Sequence, residues 1–67
     1  MKNKIKELRA DRRMTQDQLA ARLNVSRQTI ISLERERYNP SINLAFKVAR
    51  VFQCSIEDIF IYEEDNE

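Results

Sequence analysis

Two adjacent side chains near the middle of the chain, Arg27 and Gln28, carry hydrogen-bonding groups that match the edges of nucleic-acid bases. An arginine can donate two parallel hydrogen bonds to guanine O6 and N7, and a glutamine can pair with adenine N6 and N7. Ile31 can contact a thymine methyl group, and Ser32 can donate or accept one further hydrogen bond. On their own, however, these residues are better explained as a solvated helix face, so their interpretation depends on the elements that present them.

The composition excludes most other chemistry. The chain has 67 residues, no histidine and a single cysteine, Cys54. A Cys/His zinc site, a histidine-based catalytic arrangement and an internal disulfide are therefore excluded. No apolar run approaches the ~18 residues of a membrane span. We expect no secretory signal, because Met1-Lys2-Asn3-Lys4 is not followed by an apolar stretch. We expect a single cytoplasmic domain that is not an enzyme and binds no metal, cofactor or small-molecule ligand, with Cys54 as a buried small hydrophobe.

The charge is divided between the two ends of the chain, although the formal net charge is only +1. Residues 1–50 hold all twelve Lys and Arg residues and five acids, which leaves +7. Residues 51–67 hold six acids and no base, which gives −6. Such a division is consistent with a body that faces a polyanion and an acidic end, and equally with ordinary surface charge and an acidic solubilising end. Residues 63–67 are expected to be a disordered tail.

Apolar spacing and capping residues predict an all-α fold with five helices. Helix 1 is expected at about residues 3–13, helix 2 at about 15–23 and helix 3 at about 26–35, and two more helices follow. The predicted N-caps of helices 2 to 5 are Thr15, Ser26, Ser41 and Ser55. The segment Ile59–Tyr62 can instead be extended, and pair either with its symmetry mate or with the N-terminal residues.

Helices 2 and 3 are joined by so few residues that they must cross steeply. Ala20 permits close approach because a larger side chain there would push the next helix away. Asn24 tolerates the left-handed conformation that reverses the chain, and Val25 returns to the core. This is the geometry of a helix-turn-helix, in which the second helix lies in the major groove of DNA.

Nearly the whole chain, about residues 4–62, resembles the Xre family, the Cro/C1-type helix-turn-helix regulators of bacteria and phages. The motifs that carry the resemblance are Thr15-Gln16-x-x-Leu19-Ala20, Val25-Ser26-Arg27-Gln28-Thr29-Ile30, Leu33-Glu34-Arg35, Tyr38-Asn39-Pro40-Ser41, Ala45-x-x-Val48-Ala49-x-x-Phe52 and Ser55-Ile56-Glu57-Asp58-Ile59-Phe60. The resemblance implies a compact helix-turn-helix domain over residues 1–62 that binds double-stranded DNA. It makes Arg27, Gln28, Ile31 and Ser32 candidates for base contacts.

A second group of residues is expected to contact phosphates. The free N–H groups at the start of helix 2 suit an anion, and the family resemblance places the residue that matches Gln16 on a phosphate. The others lie in or after the recognition helix, where several can flank the groove. The complete set is Thr15, Gln16, Thr29, Arg35, Arg37, Tyr38, Ser41 and Asn43.

Two further expectations come from comparison with the family pattern. Arg9 and Glu34 match positions that form an internal ion pair in several members, which implies a structural clamp between helices 1 and 3. Glu36 stands where the family commonly has Gly or Asn at the end of the recognition helix. Either that helix ends differently here, or Glu36 turns away from the phosphates toward Arg35 or Arg37.

A homodimer is expected because one short helix contacts too few base pairs to define a site. Helix-turn-helix dimers bind half-sites about 34 Å apart. The predicted interface consists of Ile56, Ile59, Phe60, Ile61 and Tyr62. Phe46 and Val51 also fall off the main apolar stripe of helix 4, and the alternative is that all these residues cap the core of a small domain. The leading hypothesis is a transcriptional repressor that binds an inverted-repeat operator, because little surface remains to recruit polymerase. The alternative is an antitoxin-like or other protein-interaction module that also binds its own operator.

Overall fold

The computed structural model describes residues 1–37 and 39–63, which fold into five helices and one pair of short strands. The all-α prediction is confirmed, together with the short extended segment near the C-terminus. The elements in chain order are β1 (Lys2–Asn3), α1 (Ile5–Asp11), α2 (Gln16–Leu23), α3 (Arg27–Glu34), α4 (Ile42–Phe52), α5 (Ile56–Ile59) and β2 (Phe60–Ile61).

The predicted caps are confirmed at the starts of α2, α3, α4 and α5. In each case the side-chain oxygen of the cap accepts a hydrogen bond from the backbone N–H three residues later. The four caps are Thr15, Ser26, Ser41 and Ser55. In α2 and α5 the side chains of Gln18 and Asp58 also accept the N–H of the cap residue, which completes a capping box.

Non-glycine residues in the left-handed conformation follow the first four helices. These residues are Arg13, Asn24, Glu36 and Gln53, with φ of 51°, 58°, 61° and 55°. After α3, the Glu36 N–H donates to the Leu33 carbonyl and the Arg37 N–H donates to the Ser32 carbonyl, both at 3.0 Å. This is a Schellman motif, a helix end that glycine usually occupies. The recognition helix therefore ends where the family pattern places its end, with the exposed Glu36 in the glycine position.

α1 is shorter than the predicted helix over residues 3–13, because Asn3 belongs to a strand. The Asn3 side-chain oxygen accepts the Ile5 N–H at 3.1 Å, and the Lys4 N–H donates to the Ile59 carbonyl at 2.8 Å. β1 and β2 are antiparallel, with Lys2 opposite Ile61 and Asn3 opposite Phe60. Within the single chain the extended segment pairs with the N-terminal residues, which is one of the two partners that the sequence left open.

The core lies between the helices and is entirely apolar. Its largest fully buried side chains are Ile5, Leu19, Leu23, Ile30, Leu33, Val48, Phe52 and Ile59. Every helix contributes at least one of them, so the five helices share one core. Within residues 1–37 and 39–63, no helix has both the length and the apolar character needed to cross a membrane.

Arg12 ties the end of α1 to the end of α4. Its Nη2 donates to the Phe52 carbonyl at 2.8 Å, and its guanidinium lies 5.1 Å from the centroid of the Phe52 ring. The carbonyls at the end of a helix lack intrahelical donors, so this arginine satisfies one of them while covering the core aromatic ring.

Candidate nucleic-acid interface

The turn between α2 and α3 fixes the orientation of the recognition helix. Asn24 is left-handed, with φ 58° and ψ 45°, and the Val25 N–H donates to the Ala20 carbonyl at 3.0 Å. Ala20 is buried, and α2 and α3 pack directly against each other. Ile30 and Leu33 point into the core from α3, so the opposite face of this helix lies in solvent.

The four candidates for base contacts lie on or beside that outer face. Arg27 and Gln28, in the first turn of α3, are exposed. Ile31 and Ser32, one turn later, are half-buried. The two side chains with the greatest capacity for bidentate hydrogen bonds are therefore the more accessible ones, at the N-terminal end of the helix.

The start of α2 forms a small polar pocket of about 350 Å³ beside the start of α3. Its lining residues are Arg9, Thr15, Gln16, Asp17 and Arg27. The capping box uses the N–H groups of Thr15 and Gln18, with bonds of 2.8 and 3.0 Å. The capping box does not use the N–H groups of Gln16 and Asp17. These two groups lie in the first turn of α2, where N–H groups have no partner within the helix. Such N–H groups, together with the helix dipole, are suited to an anion.

Arg9 and Glu34 form a two-pronged ion pair between α1 and α3. Arg9 Nε lies 2.7 Å from Glu34 Oε2, and Arg9 Nη2 donates to Glu34 Oε1 at 3.2 Å. Their side chains are only 15% and 7% exposed. A third guanidinium nitrogen, Nη1, donates to the Met14 carbonyl at 2.8 Å just before α2. The pair therefore holds α1, α3 and the start of α2 together.

Gln16 connects this ion pair to the recognition helix. Its amide nitrogen Nε2 donates to Glu34 Oε1 at 3.1 Å, which turns its Oε1 toward Arg27. Arg27 Nε donates to that oxygen at 3.4 Å and lies 3.9 Å from Asp17 Oδ1. A row of polar side chains therefore runs from Arg9 in α1 to Arg27 at the start of α3.

Sequence reasoning missed the contacts of Gln16 and Asp17 with Arg27. The sequence separations of eleven and ten residues are far longer than the three or four residues over which side chains of one helix touch. The contacts exist only because α2 and α3 pack against each other, so no local signal could have identified them. A further missed contact is that of Asn3, whose amide nitrogen donates to the Leu33 carbonyl at 2.8 Å near the end of the recognition helix.

The remaining candidates for phosphate contacts differ in their surroundings. The Thr29 hydroxyl lies 3.0 Å from that of Ser26, so it takes part in the cap of α3. Four others are exposed, at or after the end of α3 and at the start of α4: Arg35, Arg37, Ser41 and Asn43. Ser41 also caps α4, and its oxygen accepts the Leu44 N–H at 3.1 Å. Tyr38 and the tail residues 64–67 lie outside the described residues.

The predicted dimer residues divide into two groups. Ile59 and Phe60 are buried in the core of the single chain, at 0% and 6% exposure. Ile56 is half-buried, whereas Ile61 and Tyr62 are exposed. The apolar surface that the single chain leaves open is therefore narrower at this end than the sequence indicated.

An open apolar groove of about 780 Å³ lies between α4 and α5. Phe46, Ala49, Cys54 and Ile56 supply its apolar lining, and Phe46 is 56% exposed. The other lining residues are Arg50, Gln53, Ser55 and Glu57.

Comparisons with known proteins agree with this geometry. The helix-turn-helix family model matches residues 5–59. An uncharacterized HTH-type transcriptional regulator of Methanocaldococcus jannaschii is 58% identical over 65 residues, which cover 97% of this chain and 98% of the relative. A regulator of the same description from Bacillus subtilis is 44% identical over 66 residues, 98% of this chain and 100% of the relative. An immunity repressor protein of Bacillus phage phi105 is 38% identical over 69 residues, 96% of this chain but 48% of the relative.

The fold and the crossed pair α2–α3 define a helix-turn-helix protein. The chain belongs to the Xre family of Cro/C1-type helix-turn-helix regulators, which are DNA-binding transcriptional regulators. The resemblance stated from the motifs is therefore confirmed. The relatives come from archaea as well as from a bacterium and a phage, so similar proteins are not confined to bacteria and phages.

Proposed function

We propose that this protein is a sequence-specific repressor that binds an inverted-repeat operator in double-stranded DNA as a homodimer. Arg27 and Gln28 contact base edges in the major groove, with Ile31 and Ser32 beside them. Phosphate contacts at the starts of α2 and α4 and after α3 set the register of the protein on the duplex.

The observation that carries this proposal is that Arg27 lies beside the N-terminal end of α2. The exposed Arg27 at the start of α3 lines the same pocket as Thr15 and Gln16, whose helix end suits a phosphate. A base-contacting side chain and a phosphate-binding helix end are therefore presented together, as docking in a major groove requires. Repression is supported by the phage relative, which is named as an immunity repressor.

Selection of bound duplexes from a random library tests sequence-specific binding. We expect an inverted repeat to be enriched, with half-sites about one DNA turn apart, and affinity to fall steeply with salt. Arg27→Ala and Gln28→Ala should each lose about 1–3 kcal/mol of discrimination at one position of each half-site. Lys47→Ala is the matched control, because Lys47 is an exposed cation on α4 outside the proposed interface.

Two results would contradict this function. If no sequence is enriched and the protein instead captures a specific protein partner, the antitoxin-like alternative replaces it. If Arg27→Ala and Lys47→Ala weaken binding equally at every base position, α3 is not the recognition helix. Repression itself is tested with a reporter gene downstream of the selected operator, where expression must fall when the protein is present.

The proposed dimer places the groove between α4 and α5 against the same groove of a second copy. A two-fold interface brings one surface patch against itself. Phe46 and Ile56 give the groove its apolar floor, while Arg50 and Glu57 carry opposite charges on its rim. A two-fold arrangement can therefore pair the arginine of each subunit with the glutamate of the other. Ile61 and Tyr62 add exposed apolar surface near the C-terminus.

Sedimentation equilibrium tests the dimer. Phe46→Asp should shift the protein toward monomer, whereas Ile42→Asp, on an exposed residue that does not line the groove, should not. Arg50→Glu and Glu57→Arg should each weaken the dimer, and the double variant should recover it. Equal effects of Phe46→Asp and Ile42→Asp, or failure of the double variant to recover, would exclude the groove as the interface.

A further inference from the structure

We propose that Asp17 is a specificity-determining residue that disfavours contact between Arg27 and phosphates more than contact between Arg27 and a base. This proposal rests on the proposed function, because it concerns the same DNA-binding site. It gives a role to an acidic residue on a surface that is expected to approach a polyanion.

The position of Asp17 differs from that of an ordinary acid at the start of a helix. Asp17 and Glu7 are both in the first turn of a helix, where a negative charge is favoured by the helix dipole. Asp17, however, lines the pocket that also contains Arg27, and its Oδ1 lies 3.9 Å from Arg27 Nε. Among the described residues, Glu7 forms no such ion pair.

Among residues 1–37 and 39–63, no hydrogen bond involves the terminal nitrogens of Arg27. The oxygens of Gln16 and Asp17 both approach Arg27 from the side of Nε, at 3.4 and 3.9 Å. Because Nη1 and Nη2 form neither of these contacts, they can still donate to the O6 and N7 atoms of one guanine. The side chain is therefore held at the start of α3 without losing the two donors that a bidentate base contact needs.

Asp17 acts differently on the two kinds of acceptor. A phosphate that approaches Arg27 brings a full negative charge close to the Asp17 carboxylate, and the two repel each other. A guanine edge is neutral and offers only dipoles, so the carboxylate opposes it much less. A phosphate at the start of α2 is proposed in operator and non-specific complexes alike, so its repulsion by Asp17 does not distinguish them. Arg27 distinguishes them, because it contacts a base in the operator complex and a phosphate in the non-specific one, where phosphate contacts dominate. Asp17 therefore weakens non-specific binding more than operator binding.

The expected effect follows from the salt dependence of phosphate contacts. If loss of the carboxylate lets Arg27 neutralise one more phosphate, the salt slope of non-specific binding steepens by about 0.9 per protomer. A phosphate contact that adds nothing to the affinity at 1 M salt strengthens binding about five-fold at 0.15 M salt. Operator binding should change less, because Arg27 there contacts a base.

The test compares Asp17→Asn, Asp17→Glu and Glu7→Gln with the unaltered protein. Fluorescence anisotropy measures binding to the selected operator and to a scrambled duplex of equal length and composition, over a series of salt concentrations. Asp17→Asn should tighten scrambled binding about five-fold per protomer at 0.15 M salt, which lowers the ratio of operator to scrambled affinity. Asp17→Glu keeps the charge and should keep the ratio. Glu7→Gln removes the same charge from another helix start and should also leave the ratio unchanged.

Each remaining outcome has a defined meaning. If Asp17→Asn tightens both duplexes by the same factor, or changes neither, Asp17 does not determine specificity. If Glu7→Gln lowers the ratio as much as Asp17→Asn, the effect is one of total charge and the proposal fails. If the unaltered protein prefers no operator, the proposed function fails and this inference fails with it. A preferred operator together with an unchanged ratio in Asp17→Asn removes only the inference.

Discussion

Glu36 is in the left-handed conformation at the end of the recognition helix, with φ of 61°. Its N–H and that of Arg37 form the two hydrogen bonds of a Schellman motif, so the backbone there must stay left-handed. A residue with a Cβ atom is unfavourable in that conformation, because the Cβ approaches the following carbonyl oxygen. We therefore predict that Glu36→Gly stabilises the folded protein.

The size of this effect is the difference between two opposing contributions. Relief of the left-handed conformation is worth about 1–2 kcal/mol. Glycine also makes the unfolded chain more flexible, which costs about 0.4–1 kcal/mol. The net gain is therefore roughly 0.5–1 kcal/mol, or roughly 2–8 °C in melting temperature for a chain of this size. Asn24→Gly should gain less, because asparagine tolerates this conformation better than glutamate.

Urea and thermal unfolding, followed by circular dichroism at one fixed protein concentration, measure the effect. A fixed concentration is needed because dimerisation also contributes to apparent stability. Glu36→Ala is the matched control, since it removes the carboxylate but keeps the Cβ atom. The reasoning is refuted if Glu36→Ala is as stable as Glu36→Gly, because charge and not backbone conformation would then account for the gain.

Three other variants test contacts that link the helices. Arg9→Met should lower the free energy of unfolding by about 3–5 kcal/mol, because it leaves the nearly buried Glu34 carboxylate without its cation. In urea unfolding, the double variant Arg9→Met with Glu34→Leu should recover most of that loss. Thr15→Ala should lower the free energy of unfolding by about 1 kcal/mol through loss of the capping box, with Asp11→Ala, which caps no helix, as the control. Arg12→Met should cost about 1 kcal/mol because the Phe52 carbonyl loses its side-chain donor, and an unchanged melting temperature would contradict this role.

The features that the sequence predicted well are those determined by residues close together along the chain. A cap such as Ser26 bonds the N–H of Thr29, only three positions away, so residue type and spacing suffice to identify it. The same is true of Asn24, whose tolerance for the left-handed conformation marks the turn. The order and approximate bounds of the helices therefore followed from the sequence, as did the helix-turn-helix.

Features that depend on tertiary packing could not be predicted in the same way. The segment after Ser55 has a continuous apolar pattern, which does not show whether Ile59 and Phe60 face the core or a second subunit. Their burial follows from the pairing of β2 with β1, which brings together the two ends of the chain. Gln53 is a similar case, because glutamine is not a residue that marks a left-handed helix end.

Two carboxylates lie at the proposed interface, within the part of the chain that carries the net positive charge. Of the five acids in residues 1–50, Glu34 and Asp17 both belong to the polar row that ends at Arg27. Glu34 is held by Arg9 and orients Gln16, while Asp17 lies beside the arginine that is proposed to contact bases. Because these carboxylates reduce the positive charge where DNA would bind, the site is not arranged for maximal attraction to phosphates. If Arg27 contacts bases as proposed, its contacts with Gln16 and Asp17 favour recognition of a base sequence over indiscriminate binding along the duplex.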